Sequence, residues 1–272
     1  MPKSTFDSRT ALVTGGSDGI GYETVRRLAF AGATVFLHAR DHEHGDAAVE
    51  RLVKAGAEPL RLHPVVADFT DLHQVAELAR TLAGAVPNLD VLVNNAAIAG
   101  PERRTLTDDG NEVTFQVNYL APYLLTRMLA GSIAKARGRV VNVSSTLHLG
   151  ANLDWSDITR TRNYTPLAVY AQAKLALTMF TRSLAELSPQ ALTAVSVHPG
   201  VVDTSLMRLY ARTGEPVSEA AAVLTELSAP DTAVVNGGYY DRLTIATPAA
   251  YVDNPNARGR LRKLSAQLTT LD

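Results

Sequence analysis

Residues 14–21 read Thr14-Gly15-Gly16-Ser17-Asp18-Gly19-Ile20-Gly21. Just ahead, Ala11-Leu12-Val13-Thr14 has the pattern of a short buried strand running into the glycines. Just behind, Ile20 to Ala31 carries helical spacing, with Gly32 placed to stop it. Glycines in such a turn let the backbone come close to a phosphate. The helix start then offers free N–H groups and the positive end of its dipole to the anion. The spacing is Gly-x3-Gly-x-Gly rather than Gly-x-Gly-x2-Gly. Glycines alone serve any tight turn; their place after an N-terminal buried strand points to a dinucleotide.

The pattern repeats outward. Thr34 to Leu37 reads as a second strand, Glu43 to Ala55 as a helix closed by Gly56, and Leu60 to Val66 as a third strand. Leu72, Val75, Leu78 and Leu82 keep helical spacing, and Val91 to Val93 is the fourth strand. A long helix from about Asp108 to Leu129, a strand at Val140–Val143, a helix at Leu167–Leu187 and a strand at Val195–Val197 complete the series. Apolar strands alternating with amphipathic helices imply a parallel sheet covered on both faces. The expected fold is α/β: a Rossmann-type doubly wound parallel sheet in three α/β/α layers, one domain over residues 1–272. Two stretches break the rhythm, 146–165 and 199–236. Both begin at carboxyl ends of strands, where open α/β sheets bind ligands, so both are expected to be substrate loops. In the second, Leu206, Met207, Leu209 and Tyr210 stand close together, and at helical spacing Leu206 and Leu209 or Tyr210 are placed to face a ligand from a lid or to pack on the sheet.

Composition narrows the partners. A net charge of -1 leaves no basic field for nucleic acid. The chain has no cysteine, which excludes disulfides, a thiolate nucleophile and a cysteine-bound metal, and suits a reducing cytoplasm. No apolar run approaches the ~18 residues of a membrane span, and no signal-peptide core precedes Gly15. A cytoplasmic location is the expectation. His42 and His44 flank Glu43 without completing a metal site and are read as solvent-facing, while His148 stands near enough to Ser145 to border a substrate. Ser145, His198 and Asp203 suggest a hydrolase, but the Gly-x-Ser-x-Gly elbow is missing. Four basic residues between Arg258 and Lys263 read as a solvated helix face.

Further motifs follow the glycine turn in order. They are Asn94-Asn95-Ala96-Ala97, Asn118 in FQVNYLAPYLLT, Ser144-Ser145 in VVNVSS, Tyr170-Ala-Gln-Ala-Lys174, and Pro199-Gly200-Val201-Val202-Asp203-Thr204. Together these resemble the TGxxxGIG, NNAG, Asn, Ser, YxxxK and PG-x-V-x-T motifs of the short-chain dehydrogenase/reductase family. Ala97 stands where the family has glycine and Ala173 where serine is frequent. The insert with LDWSDI and Tyr164, and the closing segment from GGYYDR onward, are similar to the retinol-dehydrogenase-like branch. Light-dependent protochlorophyllide reductase, a relative, relies on a cysteine that this chain lacks.

The resemblance implies a carbonyl/alcohol oxidoreductase using a nicotinamide cofactor. Tyr170 would be the general acid/base and Ser145 would orient the carbonyl. Lys174 would hold the ribose and lower the tyrosine pKa, and Asn118 would help hold a water beside Lys174. Tyr170 and Lys174 are four apart on a helix and share one face; an ammonium beside a phenol favours the phenolate. Gly15, Ser17, Asp18, Gly19, Ile20 and Gly21 would cradle the pyrophosphate. Asp68, Asn94, Ala96, Pro199, Gly200, Val202 and Thr204, with Tyr170 and Lys174, would line the rest of the cofactor.

At the end of the second strand, Ala39 occupies the position where NAD-preferring members carry aspartate, and Arg40 follows. Arginine suits a 2′-phosphate, so NADP(H) is expected over NAD(H). Asp41 is expected to start the next helix instead of reaching the ribose, and His38 to point into the sheet. The substrate is expected to be a mainly apolar small carbonyl or alcohol. Dimers and tetramers are common in the family, which leaves a homodimer or homotetramer open. The rival reading is a non-enzymatic NADP(H) sensor or scaffold on the same fold.

Overall fold

The strands are β1 (Thr10–Val13), β2 (Thr34–Ala39), β3 (Leu62–Val66), β4 (Val91–Asn94), β5 (Arg139–Val143), β6 (Thr193–His198), β7 (Tyr239–Asp241) and β8 (Thr244–Ala246). In the computed structural model, which describes residues 5–202 and 214–270, they form one sheet in the order β3-β2-β1-β4-β5-β6-β7-β8. β1 to β7 are parallel, and β8 returns antiparallel to β7. The order reverses between β1 and β4, which opens a crevice at the carboxyl edge beside the glycine turn.

Helices cover both faces, as the apolar strands require. On one face α1 (Gly19–Phe30), α2 (His42–Lys54) and α8 (Val217–Ser228) bury Val25, Leu28, Leu52 and Leu224 against alternate strand residues such as Val13, Leu37 and Val93. On the other lie α3 (Leu72–Ala85), α4 (Val113–Phe115), α5 (Ala121–Met128), α7 (Pro166–Leu187) and α9 (Pro255–Leu268), with Leu12, Leu92 and Val140 beneath them. A short α6 (Ala130–Ala136) leads into β5.

Four expectations change. The third strand starts at Leu62, because Pro59–Arg61 form a 3-10 turn that leaves Leu60 exposed. The long helix begins at Val113, not Asp108. Residues 107–111 close a turn through Gly110 N to Thr107 O, and the Glu112 side chain caps Phe115 N. Its second segment, Gln116–Leu120, is a π-turn. Only part of 199–236 is loop. Residues 217–228 are α8, a crossover helix packed on α1, with Ala220, Ala221, Leu224 and Leu227 in the core. Arg258 is no solvated residue: it is buried and forked onto Glu186. Thr204 and the expected ligand-facing Leu206, Met207, Leu209 and Tyr210 lie outside the described residues. No described helix is long and apolar enough to cross a membrane.

Candidate active site

The glycine turn is built by close approach. Gly15 and Gly19 have φ of +62° and +53°, in the left-handed region that favours glycine. A Cβ on Gly21 would stand 2.0 Å from Gly15 O and 2.5 Å from Asn95 Nδ2, so only glycine lets α1 start this near the turn. Gly15 N donates to His38 Nδ1 (3.1 Å) and Gly16 N to His38 O (2.8 Å). The other ring nitrogen of His38 lies 2.9 Å from Ala67 O, and burial presses the ring's pKa down to about 4. The histidine therefore points into the sheet and ties the turn to the ends of β2 and β3.

Asp41, Asp71 and Thr165 cap α2, α3 and α7 with their side chains. Asp18, at the head of α1, makes no such bond. Among the described residues, the first N–H groups of α1 therefore lack a side-chain acceptor at the crevice, as a pyrophosphate requires. Ser17, Asp18, Ile20 and Gly21 all belong to this start. Ala96 packs so tightly on Gly15 that a Cβ there would meet its Cα at 2.9 Å.

Asn94 is expected along the cofactor. Its side chain turns into the core, where Nδ2 donates to Thr126 Oγ1 (2.9 Å) and Asn142 Oδ1 (2.8 Å). Asn95 is the residue that reaches the turn. Its Nδ2 donates to Thr14 O (2.9 Å) and Gly15 O (3.2 Å), while its own N–H and that of Ala96 donate to Thr14 Oγ1. Asp68 uses Oδ1 to accept from Thr70 N and Oγ1 at the mouth of β3. Pro199 follows β6, Gly200 has φ of +106°, and Val202 bridges to Glu215.

At the second-strand end Ala39 is buried and the Arg40 side chain is 67% exposed. Asp41 is committed elsewhere. It accepts from His44 N (2.9 Å) and pairs with His44 Nδ1 (2.6 Å), and these bonds draw its carboxyl down to about 2. Arg40 Nε reaches it only at 3.4 Å. The sequence reading missed Arg51. From α2 its guanidinium donates to Ser17 O (2.5 Å) and lies 4.4 Å from the centroid of the Tyr22 ring. Nothing in the local pattern marks a helix arginine 34 residues from its partner.

Ser145 follows β5, and α7 brings Tyr170 and Lys174 alongside; all three are buried. Lys174 Nζ donates to Val143 O (2.7 Å) and stands 5.4 Å from the Tyr170 ring centroid. Burial lowers its pKa to about 7. Ser144 is turned into α7, its hydroxyl 2.7 Å from Thr178 Oγ1, while Ser145 Oγ accepts from Leu147 N (3.2 Å). Asn118 sits in the π-turn, fully buried. Its amide accepts from Ile98 N (2.8 Å) and donates to Ile98 O (2.9 Å), fixing the loop after β4. His148 does not border an open substrate site. It is buried, with Nδ1 at Ser145 O (2.7 Å) and Nε2 accepting from Ala249 N (3.2 Å).

A family model described as short chain dehydrogenase matches residues 9–214. The chain is 32% identical to retinol dehydrogenase 13 of Homo sapiens, over 99% of this chain and 87% of that protein. It is 36% identical to polyprenol dehydrogenase of Mus musculus, over 74% of this chain and 62% of that one. A solved structure of an uncharacterised protein from Mycobacterium paratuberculosis superposes with a TM-score of 0.80 at 28% identity, covering 99% and 96% of the two chains. A metagenomic short-chain oxidoreductase in complex with NADP gives 0.67 at 28% identity, covering 88% and 98%.

Proposed function

The chain belongs to the short-chain dehydrogenase family, and from that premise we propose that it interconverts a carbonyl and an alcohol on a mainly apolar small molecule with NADP(H). The observation that carries the reading is the joining of Ser145, Tyr170 and Lys174 at one strand end, beside a glycine turn whose helix start has no side-chain cap. The nicotinamide supplies or takes up the hydride when bound. In the reducing direction the Tyr170 hydroxyl gives its proton to the substrate oxygen as that oxygen gains charge. Ser145 Oγ–H donates to the same oxygen and holds it in place. Lys174, beside the phenol ring, favours the phenolate left behind and holds the ribose. Asn118 keeps the loop after β4 in register with these groups.

The preference for NADP(H) rests on Arg40 and Asp41. The exposed guanidinium can fork onto a 2′-phosphate, while the carboxylate that would accept from a free ribose hydroxyl is held by α2 and His44. Arg51 adds a second positive charge beside Ser17.

Steady-state kinetics of Tyr170→Phe and Arg40→Ala test both parts. Tyr170→Phe is expected to lose turnover while binding NADPH within a few-fold of wild type. Arg40→Ala is expected to lower the NADPH-to-NADH ratio of kcat/KM by roughly 10- to 150-fold. Substantial turnover in the first variant sinks the mechanism, and an unchanged ratio in the second sinks the cofactor assignment.

A further inference from the structure

A groove of about 440 Å³ is lined by chain neighbours of Ser145 and Tyr170, though not by those two residues themselves. It starts at Thr146 and Leu147, directly after Ser145, and follows Leu167, Ala168 and Ala171 on the stripe of α7 next to Tyr170. Its walls are mostly apolar, yet Arg160 stands in it. No carboxylate among the described residues pairs with this guanidinium. The nearest acid in sequence, Asp157, is spent on Thr161 N and Oγ1 and on Arg162 N.

Arg160 is held in place. Its Nε donates to Gln172 Oε1 (2.7 Å), and Gln172, fully buried two residues from Tyr170, donates in turn to Ile158 O (2.9 Å). One terminal nitrogen reaches Asn152 O and Oδ1 at 3.4 and 3.5 Å. The other terminal nitrogen makes no bond within the described residues. The backbone at Arg160 has φ of +52°, a conformation that a long side chain adopts only where its surroundings impose it. Those surroundings are braced from the opposite loop, by Arg104 Nε to Thr159 O (2.7 Å) and Tyr164 OH to Pro101 O (2.7 Å). The result is a fixed, planar cation with spare donors on the wall of a mostly apolar groove.

We propose that Arg160 reads a carboxylate, so that the substrate is a carbonyl compound with an apolar body and a carboxylate at its far end. This rests on the oxidoreductase reading above and sharpens its substrate class. The guanidinium fork matches the two oxygens of a carboxylate. Leu147, Leu167 and the alanines cover the hydrocarbon between the carboxylate and the carbonyl held by Ser145 and Tyr170. Because Arg160 is already ordered by Gln172 and Asn152, little further side-chain entropy is lost when the acid binds.

The test uses the full-length protein with NADPH, ω-oxo carboxylic acids of graded chain length, and their methyl esters. Wild type is expected to show kcat/KM for the best acid roughly 10-fold or more above its ester. Added salt should shrink that advantage. Arg160→Gln should bring the acid-to-ester ratio close to one, and Arg160→Lys should keep part of it. Equal use of acid and ester by wild type, or a ratio unmoved in Arg160→Gln, overturns the proposal. Should Arg160→Gln fail to fold, saturated carboxylic acids in the wild-type assay decide. Competitive inhibition of ester reduction by the acids but not by their methyl esters supports the carboxylate site, and equal inhibition overturns it. Failure to turn over any compound speaks against the oxidoreductase reading instead. Thermal shift with NADPH then tests the groove alone, and equal stabilisation by acid and ester overturns the carboxylate site.

Discussion

His38 joins the glycine turn to the end of β3 through a neutral ring, one nitrogen accepting from Gly15 N and the other donating to Ala67 O. Protonation would put a second donor against the Gly15 N–H. Burial opposes that charge and lowers the folded pKa from 6.5 to about 4. Between those values the unfolded chain binds a proton that the folded chain refuses, so this residue's contribution to stability falls as pH drops from 6.5 to 4. The loss approaches about 2–3 kcal/mol near pH 4.5. Urea unfolding at pH 7 and pH 4.5 should show His38→Gln losing less stability than wild type; equal losses would count against the coupling. At this scale, legibility depended on reach. Ser145, Tyr170 and Lys174 are legible in the sequence as motif residues, and the structure buries all three. Asn94 and Asn95 do not, since two adjacent asparagines at a strand end face opposite ways and only the register of Asn94 against Asn142 shows which one enters the core. Arg51 acts through a long side chain from another element, which no local pattern records.

Among elements, the junction of β1 and α1 does the most with the least material. Gly21 is where helix and turn touch, and a methyl there would press on the Gly15 carbonyl, which is backbone and cannot rotate away. Gly21→Ala should therefore move the start of α1. We expect a stability loss of about 1–3 kcal/mol and NADPH binding weaker by roughly 10-fold or more, because the N–H groups at the helix start are no longer aimed together. Tm and a fluorescence titration with NADPH check both; normal affinity would show that the turn tolerates displacement. Periodicity made the first six strands and most helices readable; β7 and β8, three residues each, are too short to carry a period, and elsewhere it failed where another rule won. Glu112 and the turn at Gly110 delay the helix that the apolar spacing starts at Asp108. The π-turn at 116–120 changes only the hydrogen-bond step, not residue type, so the sequence carries no mark of it. α8 was hidden by the Pro and Gly around it, and its alanines matter because they let it lie close on α1.

At the scale of the whole molecule, α9 packs on the face of the sheet that carries α7 and the proposed reacting groups. Leu261 is buried in the same core as Tyr119, Tyr123 and Phe180. The Tyr119 hydroxyl lies 2.5 Å from Ser265 Oγ, and Arg258 forks onto Glu186 of α7 while donating to Val252 O (2.6 Å). Tyr119 is the neighbour of Asn118 in the π-turn, so α9 backs the element that holds Asn118. Leu261→Ala should cost about 2–5 kcal/mol. For a chain of this size that lowers Tm by roughly 5–15 °C. At temperatures where the variant stays folded, kcat should remain near wild type, since Leu261 touches no reacting group. A Tm within two degrees of wild type would show that α9 only rests on the core.

The position of α9 also sets an order of events during synthesis. A chain is made from its first residue, and the helix bearing Tyr170 and Lys174 emerges well before the helix that covers it. Until α9 is added, Phe180, Leu184 and Tyr123 lack the helix that covers them and face water as an apolar seam. A chain that stops before Pro255 is expected to keep Ser145, Tyr170 and Lys174 and still to aggregate, because the apolar face that α9 covers stays open.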